Sequence, residues 1–185
     1  MEVKGTAIKS IPDFVLAQHK NEYTNFIKSL PNASREILRE VIITSRWYPI
    51  RESLIEPIIT IGRLFYNSPN EAAWAMGRYS AGVALKGIYA LYVKIGTPAH
   101  LIERASKVFA AYFNPSELKV VDSSKGELIV HITKFSGIHE VVEHNIAGWM
   151  QHALEISGCK DVTINITKSL CKGYPYTEFQ VCWKA

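Results

Sequence analysis

The apolar residues of this chain change their period once, close to residue 115, and this change constrains the fold more than any other feature. Before it, apolar side chains recur with the spacing of one helix face. After it, Leu118 and Val120, and then Leu128, Val130 and Ile132, alternate with other side chains as in a strand. A helical first half and a mixed second half are therefore predicted.

The second half predicts four strands and one helix. Turn residues at 122–126 join the first two strands into a hairpin, and a helical stripe from Ile138 to Ile156 ends at Gly158. Two more alternating runs, 162–166 and 179–183, complete the order β-β-α-β-β. We expect an α+β fold in which an N-terminal helical bundle (1–115) packs on a four-stranded antiparallel sheet (116–185).

Five helices are predicted in the first half. Their expected bounds are Asp13 to Leu30, Asn32 or Ser34 to Arg46, Arg51 to Tyr66, Glu71 to Lys94, and a last helix that starts at Pro98 with Thr97 as its cap. Trp47-Tyr48-Pro49 is expected to break the second helix. No linker composition separates the halves, so residues 1–185 are predicted to form one domain.

Composition and charge exclude several classes of protein. Of 185 residues, 48% are apolar and 21% are charged, which is typical of an ordered domain. No apolar run is long enough for a membrane span and no signal core follows Met1, so a cytoplasmic location is expected. The net charge of +4 is too small to require a nucleic-acid partner. Cys159, Cys171 and Cys182 have neither disulfide-framework nor zinc-finger spacing.

A candidate ligand site lies on the predicted helix 71–94 and on the helix that follows it. Ser80, Ala84 and Gly87 share one face, which permits either close approach of a neighbouring helix or a space that a ligand enters. The aromatic residues nearby either fill a core or line an apolar pocket. The residues expected to contact a ligand are Met76, Tyr79, Ser80, Val83, Ala84, Gly87, Phe109 and Tyr112.

The histidines were considered as metal ligands. His139 and His144 are five residues apart, which turns them to different helix faces, and His152 is two turns further on, so no shared metal ion is expected. His100 lies in the first turn of its predicted helix, where the helix dipole favours a neutral imidazole that is able to bind iron. His100 is therefore the alternative haem ligand.

No motif supports catalysis. The chain contains no GxxxxGK[ST], GxGxxG or GxSxG motif, and the cysteines form no pair with a histidine that spacing alone supports. An enzyme is therefore the less favoured interpretation.

Several segments carry a resemblance to a known family. Residues 76–89 and 101–113, Val3-Lys4-Gly5-Thr6, Trp47-Tyr48-Pro49, and the stretches 148–158 and 179–183 are similar to a multiply duplicated family of uncharacterised myxobacterial proteins. That family resembles a superfamily of haem nitric-oxide/oxygen-binding (H-NOX) domains, 4-vinyl reductase domains and trafficking-particle (TRAPP) subunits. The resemblance implies an α/β scaffold with a buried pocket.

The chain departs from the chemical motifs of that superfamily. It lacks the Tyr-x-Ser-x-Arg motif that holds the haem propionates, and Ser169 and Thr177 stand where the 4-vinyl reductase pattern has cysteines. The resemblance therefore implies a binding or interaction module rather than a redox enzyme.

Three functions remain as hypotheses. The first is a non-catalytic sensory or signalling module, with no cofactor, that binds a small apolar ligand between helices and sheet and pairs with itself or with a protein partner. The second is a haem-based gas sensor with His100 on the iron. The third is an interaction scaffold without a ligand, in which the first half, with 14 basic and 9 acidic side chains, meets an acidic protein.

Overall fold

The computed structural model describes residues 1–86 and 98–184, and its first half is largely helical. Strand β1 (Glu2–Lys4) leads directly into helix α1 (Gly5–Gln18). The elements that follow are a 3-10 turn (Lys20–Glu22), α2 (Tyr23–Ser29), α3 (Asn32–Arg39), β2 (Trp47–Pro49), a π-helical turn (Arg51–Ile55), α4 (Glu56–Phe65), α5 (Pro69–Ala84) and α6 (Pro98–Tyr112).

The first half also contains a small sheet that the sequence pattern did not predict. Strand β1 lies between β2 and β3 (Phe113–Asn114), and Val3 pairs with both Tyr48 and Phe113. Val3 is completely buried. Trp47-Tyr48-Pro49, which was predicted to break the second helix, forms strand β2, and that helix ends earlier, at Arg39.

Two predicted helices of the first half have different bounds in the structure. Asp13 is not a cap, because α1 begins at Gly5 and runs through Pro12. The second helix ends at Arg39 rather than at Arg46, and an irregular segment follows it.

The long central helix is also shorter than predicted. Helix α5 starts at Pro69, with Ser68 accepting a hydrogen bond from the Glu71 amide, and it ends at Ala84. The predicted continuation towards Lys94 and the Thr97 cap lie in 87–97, outside the described residues.

The second half has the predicted β-β-α-β-β order. Strands β4 (Ser116–Ser124) and β5 (Glu127–Phe135) form a hairpin, followed by α7 (Glu140–Ile156), β6 (Lys160–Lys168) and β7 (Thr177–Lys184). The antiparallel sheet has the order β4-β5-β7-β6. Gly126 and Gly158 have φ of 84° and 102°, so both predicted turn glycines are confirmed. The predicted α+β fold is confirmed.

Helices α5 and α7 touch backbone to backbone. A Cβ added at Gly77 would lie 2.0 Å from the Asn145 carbonyl oxygen of α7, and one added at Gly148 would lie 2.2 Å from the Trp74 carbonyl oxygen of α5. The two glycines therefore permit a reciprocal contact that no other residue allows without displacing a helix. This contact joins the helical half to the sheet half, because α7 also packs on β6.

A polar group beside the glycines fixes the same crossing. The Arg78 guanidinium donates to both carboxylate oxygens of Glu155 at 2.9 and 2.8 Å and to the Gln151 side-chain oxygen at 2.7 Å. The Trp74 indole N–H donates to that same Gln151 oxygen at 2.8 Å. The Arg78 hydrogen bonds hold the pKa of Glu155 below its ordinary range, and His152 lowers it further.

Within the described part of the chain, the helices are all too short or too polar to span a bilayer. Met76 and Ala81 of α5 and Ile146 and Met150 of α7 are buried in the core, whereas Val83 of α5 is exposed.

We expect Gly77→Ala to destabilise the fold by at least about 3 kcal/mol, because the added methyl group meets the α7 backbone. Gly82→Ala is the matched control on the same helix, since its Cβ would meet only the His152 side chain, at 3.3 Å. The control should stay within about 1 kcal/mol of wild type in urea unfolding. Equal losses for both variants would contradict the backbone contact.

Glu155→Gln should remove a stabilisation that depends on pH. A carboxylate whose folded pKa is depressed stabilises the fold above its unfolded pKa, about 4.3, and loses this contribution as pH falls further. We expect the variant to be about 1–2 kcal/mol less stable at pH 7, since the pair is partly exposed, and to differ less from wild type in acid. Urea unfolding at pH 7 and in acid measures the difference in free energy of unfolding between the variant and wild type. Glu103→Gln is the exposed control.

Candidate functional site

Four of the predicted ligand residues of α5 (Met76, Tyr79, Ser80 and Val83) lie away from the side that meets α7, whereas Ala84, seven residues from Gly77, lies near the Gly77 side. Met76, Ser80 and Val83 follow helical spacing, whereas Gly77 faces the crossing. Along this face the exposure increases towards the C-terminal end: Met76 is 2% exposed and Val83 is 51% exposed. The face is therefore part of the core at one end and an open apolar surface at the other.

The other predicted residues of this helix are partly or fully open to solvent. Tyr79 is half-buried and packs edge to face on Phe14 with ring centroids 5.4 Å apart. Burial raises the pKa of Tyr79, and the charge of Asp13 raises it further. Ser80 is half-buried and Ala84 is exposed, so neither takes part in the close helix approach, which uses Gly77 instead. Gly87 lies outside the described residues.

The two predicted residues of α6 lie in a different packing environment. Phe109 is buried in an aromatic cluster with Phe113 and Phe135, at centroid distances of 5.0 and 6.2 Å. Tyr112 is half-buried. The main partners of α6 are β4 and the small sheet, whereas α5 packs on α7, α4 and α1. The structure thus places the two parts of the predicted site on helices with different supports.

Three of the histidines considered as metal ligands, His139, His144 and His152, make local hydrogen bonds on or beside α7. The His139 ring accepts from the Val141 amide at 3.2 Å as the N-cap of α7, and His144 hydrogen-bonds the Glu140 carbonyl oxygen at 2.9 Å. His152 hydrogen-bonds Glu155 at 3.0 Å. His100 is exposed in the first turn of α6. Among the described residues, no group of three or more His, Cys, Asp and Glu side chains is arranged to hold a metal ion.

A polar cavity of about 210 Å³ lies between α5, α7 and β6. Its position between helices and sheet is where a ligand was expected, but it shares no residue with the predicted set. The lining residues are Trp74, Glu140, Glu143, His144, Ile164, Asn165, Ile166, Ser169 and Lys172. A second, shallower cleft of about 380 Å³ is lined by Ser29, Thr60, Arg63 and Leu64.

Glu143 is a buried carboxylate in the wall of this polar cavity. It is 1% exposed, and it accepts hydrogen bonds from Ser169 Oγ at 2.7 and 2.9 Å and from Thr177 Oγ1. The Cys171 thiol donates to it at 3.5 Å. These donors compensate the cost of burying the carboxyl group, and they tie α7 to Ser169 and Cys171 between β6 and β7 and to Thr177 at the start of β7. Because its oxygens are occupied in this way, Glu143 acts as a structural anchor.

The Cys171 thiol has a raised pKa in this arrangement. Burial raises its pKa, and the Glu143 carboxylate raises it further, whereas the hydrogen bond with Ser169 lowers it. A raised pKa reduces the thiolate fraction at neutral pH, and thiolate is the nucleophile. The geometry therefore gives no support to thiol catalysis at this position.

Comparison with solved structures shows the fold. Neither a protein-family model nor a curated protein sequence matches the chain. The Fe(II) unliganded H-NOX protein of K. algicida superposes with a TM-score of 0.73 at 12% identity, covering 98% of this chain and 97% of that one. The chain has the H-NOX fold.

Two further structures with the H-NOX fold show the same extent of similarity. An H-NOX protein from S. oneidensis in the Fe(II)NO state has a TM-score of 0.72 at 14% identity and coverage of 98% and 99%. The NMR structure of an H-NOX domain from Shewanella oneidensis in the Fe(II)CO state has a TM-score of 0.71, again at 14% identity, with 98% coverage of both chains. The similarity therefore extends over both halves of the molecule, and the predicted likeness to this superfamily is confirmed at the level of fold.

Glu143→Ala should destabilise the fold by about 3 kcal/mol, because it leaves the Ser169 and Thr177 hydroxyl groups without their acceptor. Glu140→Ala, one turn away and exposed, should cost less than about 1 kcal/mol. Alkylation of Cys171, followed by mass spectrometry, should also be faster in Glu143→Ala, because a cause of its raised pKa is removed. Unchanged stability and unchanged alkylation would contradict the anchoring role.

Proposed function

We propose that this chain is a ligand-binding sensory domain that uses the H-NOX fold without catalysis. The observation that supports it best is the α5 face opposite α7, on which Met76, Tyr79, Ser80 and Val83 pass from the core to an open apolar surface. A small apolar ligand on this face would gain free energy from leaving water. The charged Glu143 cavity is less suited to such a ligand.

The packing of the two helices explains how binding there would have a wider effect. Helix α5 is fixed to α7, whereas α6, which carries Phe109 and Tyr112, rests on β4 and the small sheet. A ligand in contact with both α5 and α6 would bind one arrangement of the two helices more tightly than others. It would therefore favour that arrangement of α7 relative to β4 and the small sheet. A protein partner or a second copy of the chain that senses this arrangement is part of the proposal.

A haem-based gas sensor is the alternative, favoured by the Fe(II), Fe(II)NO and Fe(II)CO states of the H-NOX structures that have this fold. The residues present do not fit a haem held in the superfamily's manner. His100 is exposed, Phe109 is packed against other aromatic rings, and the chain has neither Tyr-x-Ser-x-Arg nor any arginine after Arg104.

Native mass spectrometry of gently purified protein tests the proposal. We expect a population with a bound apolar compound, and Val83→Trp should reduce that population at least about fivefold by occupying the open end of the α5 face. Val121→Trp is the matched control, because Val121 has similar exposure, 49%, but lies on β4. A wild-type spectrum without any adduct, or equal loss in both variants, would contradict the proposed site.

Haem reconstitution separates the two functions. We expect no Soret band that depends on His100, so that wild type, His100→Ala and the control His144→Ala give the same visible spectrum. A Soret band that is lost only in His100→Ala would overturn the apolar-ligand proposal and establish the haem alternative.

A further inference from the structure

The segment between α3 and β2 exposes aliphatic side chains to an unusual degree. Val41 is 89% exposed and Ile43 is 52% exposed, and Val41 has the highest exposure among the large apolar residues described. Ile42, between them, is half-buried and packs against the core. Val41 and Ile43 are thus two exposed aliphatic side chains within three residues of an irregular segment. We refer to residues 41–43 as the tip.

The tip is held firmly by the rest of the fold. The Ile43 amide donates to the Tyr48 hydroxyl oxygen at 2.9 Å, and the Thr6 amide donates to the Thr44 carbonyl oxygen at 3.2 Å. Gly5 packs so closely that a Cβ there would lie 2.1 Å from the Ile43 carbonyl oxygen. The exposure of Val41 and Ile43 is therefore built into the fold and does not result from loose attachment.

Basic side chains surround the base of the tip. Arg39 ends α3 before it and Arg46 follows it, and between them Glu40 is the single acidic residue. Lys4 precedes Gly5, and Lys9 lies about one helical turn after Thr6. Among the ion pairs of the described residues, none involves these four cations.

Aromatic rings lie in the same region. The Lys4 ammonium lies 4.3 Å from the centre of the half-buried Trp47 ring, and the Arg46 guanidinium lies 5.5 Å from that of Tyr48. These contacts are made with neutral rings, and neither cation takes part in an ion pair among the described residues. Exposed aliphatic residues, an adjacent tryptophan and unpaired cations are the combination that favours the interface of a charged bilayer.

We propose that the tip docks this domain on an anionic lipid surface. Val41 and Ile43 enter the headgroup region, and Arg39, Arg46, Lys4 and Lys9 remain at the level of the lipid phosphates. A bilayer can bind a convex apolar projection without offering a complementary pocket. An anionic bilayer also attracts dispersed positive charges, whereas a protein partner would need acidic side chains placed to pair with each of them. These properties favour lipid over an acidic protein. The inference is independent of the ligand site on α5.

Co-sedimentation of the full chain with lipid vesicles tests this proposal. We expect binding to phosphatidylcholine vesicles that contain roughly a third phosphatidylglycerol, and none without it. The binding should weaken as salt rises from about 0.1 M to 1 M, because the Debye length falls from roughly 10 to 3 Å. Val41→Asp should lower the partition coefficient at least about tenfold and Arg39→Gln about threefold, whereas the control Val121→Asp should leave it unchanged.

Each of three results would overturn the lipid proposal. Wild-type protein does not bind anionic vesicles, Val41→Asp binds them as well as wild type does, or Val121→Asp loses as much vesicle binding as Val41→Asp. A dimer in vesicle-free sedimentation velocity that only Val41→Asp removes, together with no vesicle binding, would assign the tip to self-contact and overturn it as well. Circular dichroism of each variant shows that it is folded, which we expect because Val41, Arg39 and Val121 are exposed.

Discussion

The backbone contact between α5 and α7 is the constraint on which the rest of the structure depends. Gly77 and Gly148 bring the two helices to a distance at which the carbonyl groups of each helix occupy the space of the other's side chains. Arg78, Glu155 and Gln151 then orient the crossing by charge-assisted hydrogen bonds. Because α5 belongs to the helical half and α7 to the sheet half, this contact, together with the packing of α6 on β4, joins the two halves in a single core.

The sheet half was predictable because its local pattern and its tertiary environment agree. Leu128, Val130 and Ile132 alternate in the sequence and are completely buried on the side that faces α7, and Gly126 and Gly158 adopt the positive φ that their turns require. The helical half was less predictable. Strands β1, β2 and β3 are two or three residues long, too short to show a period, and only pairing among distant segments makes them strands. Asp13 has the residue type of an N-cap, but the chain enters α1 directly from β1, so the helix begins eight residues earlier, at Gly5.

The candidate site also combines a feature that local sequence pattern predicts with one that only tertiary contacts show. Helical spacing alone predicted a face with Ser80, Ala84 and Gly87, of which Ser80 is half-buried, Ala84 is exposed and Gly87 lies outside the described residues. It did not predict the Glu143 anchor, because the partners Ser169 and Thr177 come after strand β6 in the chain. A signal was nevertheless present: Glu143 shares its helix face with Ile146 and Met150, and a charged residue within a buried stripe requires partners.

The fixed crossing of α5 on α7 also gives the molecule a mechanical property. From Gly77 to its end at Ala84, α5 runs for about 10 Å with α7 still beside it. Arg78 binds Glu155 over this length, and the Cβ position of Gly82 lies 3.3 Å from the His152 ring. Moving the Val83 end relative to α7 would require breaking these contacts, so the two helices form one stiff unit that also contacts strand β6.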